Sequence, residues 1–88
     1  NEKPHLGQNY PNPAGTSTSI TFRLETPSNV TLRLYNIYGQ MVTELANGHF
    51  DAGNHLVMTG LKHLRPGKYL YVLETETIHE TRSMVIIR

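Results

Sequence analysis

The sequence contains no cysteine and no tryptophan, and it has a single aspartate, Asp51, among its 88 residues. Without cysteine the chain has no disulfides, thiolate nucleophiles or cysteine-based zinc sites. Long apolar runs are lacking too, because the longest, residues 69–73 and 84–87, fall far short of the roughly 18 residues of a membrane-spanning helix. An apolar fraction of 38% with 17% charged residues predicts a folded, soluble domain whose apolar runs are buried strands.

Neither sign of charge predominates in the sequence. Eight lysines and arginines against seven acidic residues leave a net charge of +1 at neutral pH, and the basic residues are spread along the chain. Since no cluster of cations follows from this pattern, nucleic acid is not expected as a partner. The length fits one domain with one modest core.

Apolar and polar residues alternate from residue 20 onward, which predicts short strands. Ile20, Phe22 and Leu24 alternate with polar residues as in a half-buried strand, and residues 30–34 repeat the pattern. Residues 68–75 and 82–88 are the most apolar strands, separated by a polar hairpin. About seven short strands with frequent turn signals, and no helical period, predict an all-β antiparallel sandwich.

The first nineteen residues have a different composition, with three of the five prolines and few apolar side chains. That composition is typical of a linker that leads into a domain. We therefore assign residues 1–9 to a linker and residues 10–88 to the domain. Because the chain begins with Asn1 and shows no basic-then-apolar leader, we expect a fragment of a longer precursor.

A third strand is predicted over residues 41–45, with a turn at residues 46–48. Val42 and Leu45 have opposite parities in this strand, so both can point inward only if the strand contains a bulge. Gly39 is expected to take a positive φ in the turn after the second strand.

The residues that could carry chemistry are poorly arranged for it. Five histidines could ligate a metal, yet they form no His-x-His or His-x3-His pair. Asp51 lies in a glycine-rich turn that its side chain can cap, and Glu74 and Glu76 lie where a strand enters a polar hairpin and carboxylates are solvated. A chain of this size rarely builds a catalytic cleft. We therefore predict no enzyme activity, no metal and no cofactor.

Four motifs in a fixed order carry a family resemblance. They are Gln8-Asn9-Tyr10-Pro11-Asn12-Pro13, Leu34-Tyr35-Asn36-Ile37-Tyr38-Gly39-Gln40, Pro66-Gly67-Lys68-Tyr69-Leu70-Tyr71 and Arg82-Ser83-Met84-Val85-Ile86-Ile87-Arg88. Together they resemble the type A sorting domain of the type IX secretion system, which lies at the carboxy terminus of exported proteins in Bacteroidota and relatives. The resemblance covers residues 8–88.

The resemblance implies an Ig-like β-sandwich of about seven strands that follows a covalently linked N-terminal passenger. It implies partners in the type IX translocon and among surface sorting and attachment proteins, with export through the periplasm and outer membrane to the cell surface or exterior. In the family the last strand carries the sorting signal, which maps here to Met84, Val85, Ile86, Ile87 and Arg88.

A second hypothesis is an Ig-like accessory module that is not cleaved from its protein. It would act as a spacer, or bind carbohydrate or protein, for a larger secreted enzyme. A carbohydrate platform would need exposed, coplanar aromatic rings, for which Tyr10, Tyr35 and Tyr38 are the candidates.

Strand alternation also leaves apolar side chains without a place in one small core. If Tyr69, Tyr71 and Leu73 face the core, the residues between them face away, and the same holds for alternate residues of the strand at 55–59. Either the sandwich covers these strands on both faces, or the side chains form an exposed patch for weak self-association or translocon docking. We favour the patch. Its four residues are Leu56, Met58, Leu70 and Val72.

Overall fold

The computed structural model describes residues 5–87, which form two antiparallel sheets and contain no helix. The strands are β1 Ser17–Leu24, β2 Ser28–Asn36, β3 Met41–Phe50, β4 Gly53–Gly60, β5 Gly67–Glu74 and β6 His79–Ile86. One sheet has the order β3-β2-β5-β6 and the other pairs β1 with β4. The predicted antiparallel sandwich is confirmed, with six strands instead of seven. Within residues 5–87 there is also no helix long and apolar enough to span a membrane.

The core lies between the sheets and is built from alternate residues of the strands. Tyr69, Tyr71 and Leu73 of β5 are buried, as predicted, while Leu70 and Val72 between them are half-buried on the outer face. A fully buried side chain of this size stabilises the fold by roughly 1.5–3 kcal/mol. The alternation in the sequence therefore gives the correct inward face of β5.

Strand β3 is longer than predicted. The predicted turn at residues 46–48 lies inside the strand, because Val30 and Thr31 of β2 pair with Gly48 and Asn47 and so satisfy the backbone there. The register between β2 and β3 skips Leu45 and Val42, which makes each a bulge. The prediction of a bulge in this strand is thus confirmed, and both side chains pack partly against the core.

The β2–β3 turn is closed by one side chain. The Oδ1 atom of Asn36 accepts hydrogen bonds from the backbone N–H groups of Tyr38 (2.9 Å) and Gln40 (3.1 Å). Gly39 has φ +82°, as predicted, so this turn uses a left-handed conformation that other residues adopt at a cost.

Residues 5–14, which we call the strap, run along the open edges of both sheets. Leu6 forms a bridge with Phe22 of β1, and Ala14 forms a parallel bridge with Ile86 of β6. Leu6 is fully buried as part of the hydrophobic core, and Asn9 is almost fully buried beside Tyr71 and Thr18, to which it is hydrogen-bonded. Residues 5–9, which the sequence predicts to be a linker, contact β1 and β6 through their backbone as residues 10–14 do.

Candidate functional site

The terminal strand β6 forms one edge of the four-stranded sheet and holds most of the predicted sorting signal. Met84 and Ile86 are buried in the core, whereas Val85 is 37% exposed and Ile87 is 53% exposed. Alternation thus gives two side chains to the core and presents two to solvent. Arg88, the last residue of the predicted signal, lies outside the described residues.

The strap covers the free edge of β6 over this stretch. The backbone N–H of Ala14 donates to the carbonyl of Val85 (2.7 Å), and the N–H of Ile87 donates to the carbonyl of Ala14 (2.8 Å). The N–H of Val85 donates to Oδ1 of Asn12 (3.2 Å). Since these backbone groups are already paired, the outward side chains of Val85 and Ile87 are the part of this stretch most open to a partner.

At the other end of β6, Glu80 holds the start of the strap. Its carboxylate accepts hydrogen bonds from the backbone N–H groups of His5 and Leu6, both at 2.9 Å, and lies 2.8 Å from Nδ1 of His5. Desolvation alone would raise the pKa of Glu80, but the hydrogen bonds from the His5 ring and from the Leu6 and His5 N–H groups lower this pKa below its ordinary value. Arg82 adds a bond from Nε to the carbonyl of Leu6 at 2.6 Å.

The middle of the strap is fixed by the buried hydroxyl of Tyr71. This hydroxyl accepts a hydrogen bond from the backbone N–H of Asn9 and donates one to the carbonyl of Gly7, each at 2.8 Å. Burial raises the pKa of Tyr71, and the hydrogen bond from the Asn9 N–H and the charge of nearby Arg82 oppose this rise. The Asn9 side chain in turn donates to Oγ1 of Thr18 (3.1 Å). These polar contacts explain how a strap with few apolar side chains stays in place.

Three of the four family motifs meet around β6. Tyr10, Pro11, Asn12 and Pro13 lie in the strap, Gly67 of β5 pairs with Ile86, and Tyr69 pairs with Met84. The middle motif lies one strand farther away, because Tyr35 and Asn36 of β2 pair with Leu70 and Tyr69 on the other side of β5. Tyr35 is half-buried, and Gly39 forms the turn described above.

The four residues of the predicted apolar patch do not form one surface. Leu56 (58% exposed) and Met58 (75% exposed) project outward from β4 in the two-stranded sheet. Leu70 and Val72 are half-buried on the outer face of the other sheet, where they lie between β2 and β6. The physical reason is that the outward faces of strands in two stacked sheets point away from each other.

Potential metal ligands are scattered as well. Within residues 5–87 no group of three or more histidine, aspartate or glutamate side chains is placed to hold a metal ion. His55 instead stacks on Phe22 with ring centroids 5.2 Å apart, and its Nε2 lies 2.7 Å from the carbonyl oxygen of Asp51. Glu74 is exposed where β5 ends.

The contacts of residues 5–9 of the strap were missed from the sequence. His5 and Glu80 lie 75 positions apart, and Asn9 and Tyr71 lie 62 positions apart, so no local pattern connects them. The one available signal was the polar pair Gln8-Asn9 next to two prolines, which is more typical of a loop than of a buried segment.

Comparison with known proteins gives one match. The sequence model of a family described as secretion system C-terminal sorting domain matches residues 8–88. No curated protein and no solved structure matches the chain. The matched range includes most of the strap and all six strands.

Proposed function

This chain belongs to the family of secretion system C-terminal sorting domains, and on that basis we propose that it directs an N-terminal passenger through the type IX secretion system to the cell surface or exterior. The partners in this proposal are the translocon and the surface proteins that sort and attach the passenger. The family is one of sorting domains, not of enzymes, and we assign no chemical step to this domain.

The observation that supports the proposal is that the side chains of residues 84–87 alternate between the core and the solvent. Met84 and Ile86 anchor the strand in the core, and the strap pairs the backbone of its outer edge around Val85. Val85 and Ile87 are then held outward in fixed positions. We infer that the translocon contacts these two side chains and Arg88, and that the ordering of β6 before binding favours this contact.

The test is export of a reporter fused before residue 1 in a host with a type IX system. The variant is the pair Val85→Ser and Ile87→Ser, which removes apolar surface that the fold already exposes. The control is Leu56→Ser with Met58→Ser, two apolar residues on the other sheet that are more exposed than Val85 and Ile87. We expect export to fall in the first variant and to persist in the control, with both domains as stable as the parent.

A second comparison uses the end of the chain. Deleting residues 84–88 should abolish export, but it also removes Met84 and Ile86 from the core and so destabilises the domain. Arg88→Glu avoids that loss and reverses one charge of the proposed signal. Full export of both the serine pair and Arg88→Glu, with folded domains, would contradict the assignment of the signal to this strand.

The accessory-module hypothesis has less support. Tyr10 lies in the strap, Tyr35 is half-buried in β2, and Tyr38 projects from the β2–β3 turn. These three rings come from different elements and do not share one strand face, whereas a sugar-binding platform needs rings in one plane. No observation favours glycan binding over sorting.

A further inference from the structure

Most carboxylates of the domain lie at one end, although charges of both signs are spread evenly in the sequence. Arg23 lies at that end too, beside Glu25, and Arg33 pairs with Glu44 in the middle of the four-stranded sheet. The exposed cations Lys62, Arg65 and Lys68 lie in the β4–β5 connection and at the start of β5, at the end of the sandwich where β6 finishes. The described part of this end contains no acidic residue. The acidic residues of the opposite end are Glu25, Asp51, Glu74, Glu76 and Glu80.

Exposed apolar side chains lie at the same end as the cations. Tyr38 is 82% exposed and Ile37 60% exposed at the β2–β3 turn, and Met41 and Ile87 are exposed nearby. The strand register places them together, because Asn36, just before the turn, pairs with Tyr69 on β5. The β2–β3 turn therefore lies at the same end of the sheet as the start of β5 and the last residues of β6.

The turn that carries Ile37 and Tyr38 is stiff. Asn36 binds the backbone N–H groups of Tyr38 and Gln40, and its own N–H donates to the carbonyl of Gln40 at 3.0 Å. Two exposed apolar side chains are thus held on a hydrogen-bonded turn, and little backbone entropy is lost when they are buried against a partner.

We propose that this end of the domain, which we call the basic tip (residues 37, 38, 41, 62, 65, 68 and 87), docks on a bilayer with anionic phospholipid headgroups. Tyr38 and Ile37 enter the headgroup region, and Lys62, Arg65 and Lys68 contact the phosphates. Exposed aromatic and aliphatic side chains flanked by cations are the side chains that favour such an interface. The carboxylates at the opposite end of the domain then lie away from the membrane.

This docking goes beyond the sorting role and does not depend on it. Each cation near an anionic membrane surface strengthens partitioning roughly fivefold, so three together contribute on the order of 100-fold. The attraction is electrostatic in part, so it weakens as salt rises.

The test is flotation of the full 88-residue chain with phospholipid vesicles. We expect binding to vesicles of phosphatidylcholine and phosphatidylglycerol in equal parts, weakened by salt, and no binding to pure phosphatidylcholine vesicles. Replacing Lys62, Arg65 and Lys68 by glutamine should weaken partitioning on the order of 100-fold. Tyr38→Ser should weaken it too, whereas Met58→Ser, an exposed apolar residue on β4, should leave it unchanged.

A compensated variant separates docking by the tip from simple attraction by net charge. The triple glutamine variant lowers the net charge from +1 to −2, and adding Asp51→Asn, Glu74→Gln and Glu76→Gln at the opposite end restores +1. Binding should stay lost in this variant. Recovery of binding, equal binding to both kinds of vesicle, or no binding by the parent chain would overturn the proposal. Loss of reporter export in folded tip variants, when the parent binds no vesicles, would assign the tip to a protein partner instead.

Discussion

Substitution of Tyr71 by phenylalanine tests how the strap is held. The change removes one hydroxyl and leaves the ring that fills the core. In the native domain that hydroxyl accepts from the N–H of Asn9 and donates to the carbonyl of Gly7. Both hydrogen bonds connect the strap to β5, so this variant removes a connection between two parts of the fold without creating a large cavity.

The cost follows from burial. Asn9 is only 2% exposed and Tyr71 is fully buried, so water does not readily replace the lost partner. A buried donor left without an acceptor costs about 1–3 kcal/mol, and the Gly7 carbonyl adds to that cost. We expect Tyr71→Phe to lower the free energy of unfolding by about 2–3 kcal/mol, a large share of the roughly 5–15 kcal/mol of a small domain.

Tyr69→Phe is the matched control, on the same strand and two residues away. The Tyr69 hydroxyl donates to the carbonyl of Arg65 at 2.7 Å, in an exposed connection where water can replace the bond. Its removal should cost under about 1 kcal/mol. Urea unfolding measures both changes, and hydrogen exchange at the Asn9 amide should accelerate only in Tyr71→Phe. Equal costs for the two variants, or unchanged exchange at Asn9, would refute the role of Tyr71 as the connection between strap and sheet.

Four further outcomes are expected. The pKa of Glu80 is lowered in the folded domain, so this carboxylate stabilises the fold above the ordinary carboxyl pKa. That contribution to the free energy of unfolding is lost as pH falls through the pKa of the folded state. Glu80→Gln should therefore make stability less dependent on pH between about 6 and about 3, as measured by urea unfolding at each pH. The pKa of Tyr71 is raised in the folded domain, so the protonated hydroxyl contributes to the free energy of unfolding below about pH 10. That contribution is lost as pH rises through the pKa of the folded state, and this alkaline loss of stability should be absent in Tyr71→Phe. Gly39→Ala should cost about 1–2 kcal/mol in thermal or urea unfolding because of the positive φ alone, since an added Cβ meets no neighbouring atom there. Gly39→Asn should cost less, because asparagine adopts the left-handed conformation more readily than alanine. Zinc or nickel added to the untagged domain should leave its melting temperature unchanged, and a rise of several degrees would reveal a site that the histidine spacing does not predict.

The strands could be predicted from the sequence because their burial repeats with a period of two. Ile20, Phe22 and Leu24 of β1 are buried as the alternation indicates, and so is the inward face of β5. The bulge in β3 followed from the conflicting parities of Val42 and Leu45. In each case the deciding information lies within one strand.

The placement of the strap could not be predicted, because its partners are distant in sequence. Asn9 is buried only because Tyr71 and Thr18 satisfy its polar groups, and His5 is placed by Glu80. The same limit explains the division of the predicted apolar patch: alternation shows that a side chain faces away from the core, but not which sheet its strand joins. The proposed sorting role of Val85 and Ile87 stays a prediction.

The contacts between the strap and β6 also affect the order of events during biosynthesis. Leu6 and Arg82 are 76 positions apart, so the strap leaves the ribosome before β6 and waits for the rest of the domain before it finds its partners there. Until β6 has been made, the edge of β5 that it pairs with stays open to proteases and to other chains. A chain truncated before β6 therefore cannot complete the sandwich. Folding of the domain thus distinguishes full-length chains from truncated ones.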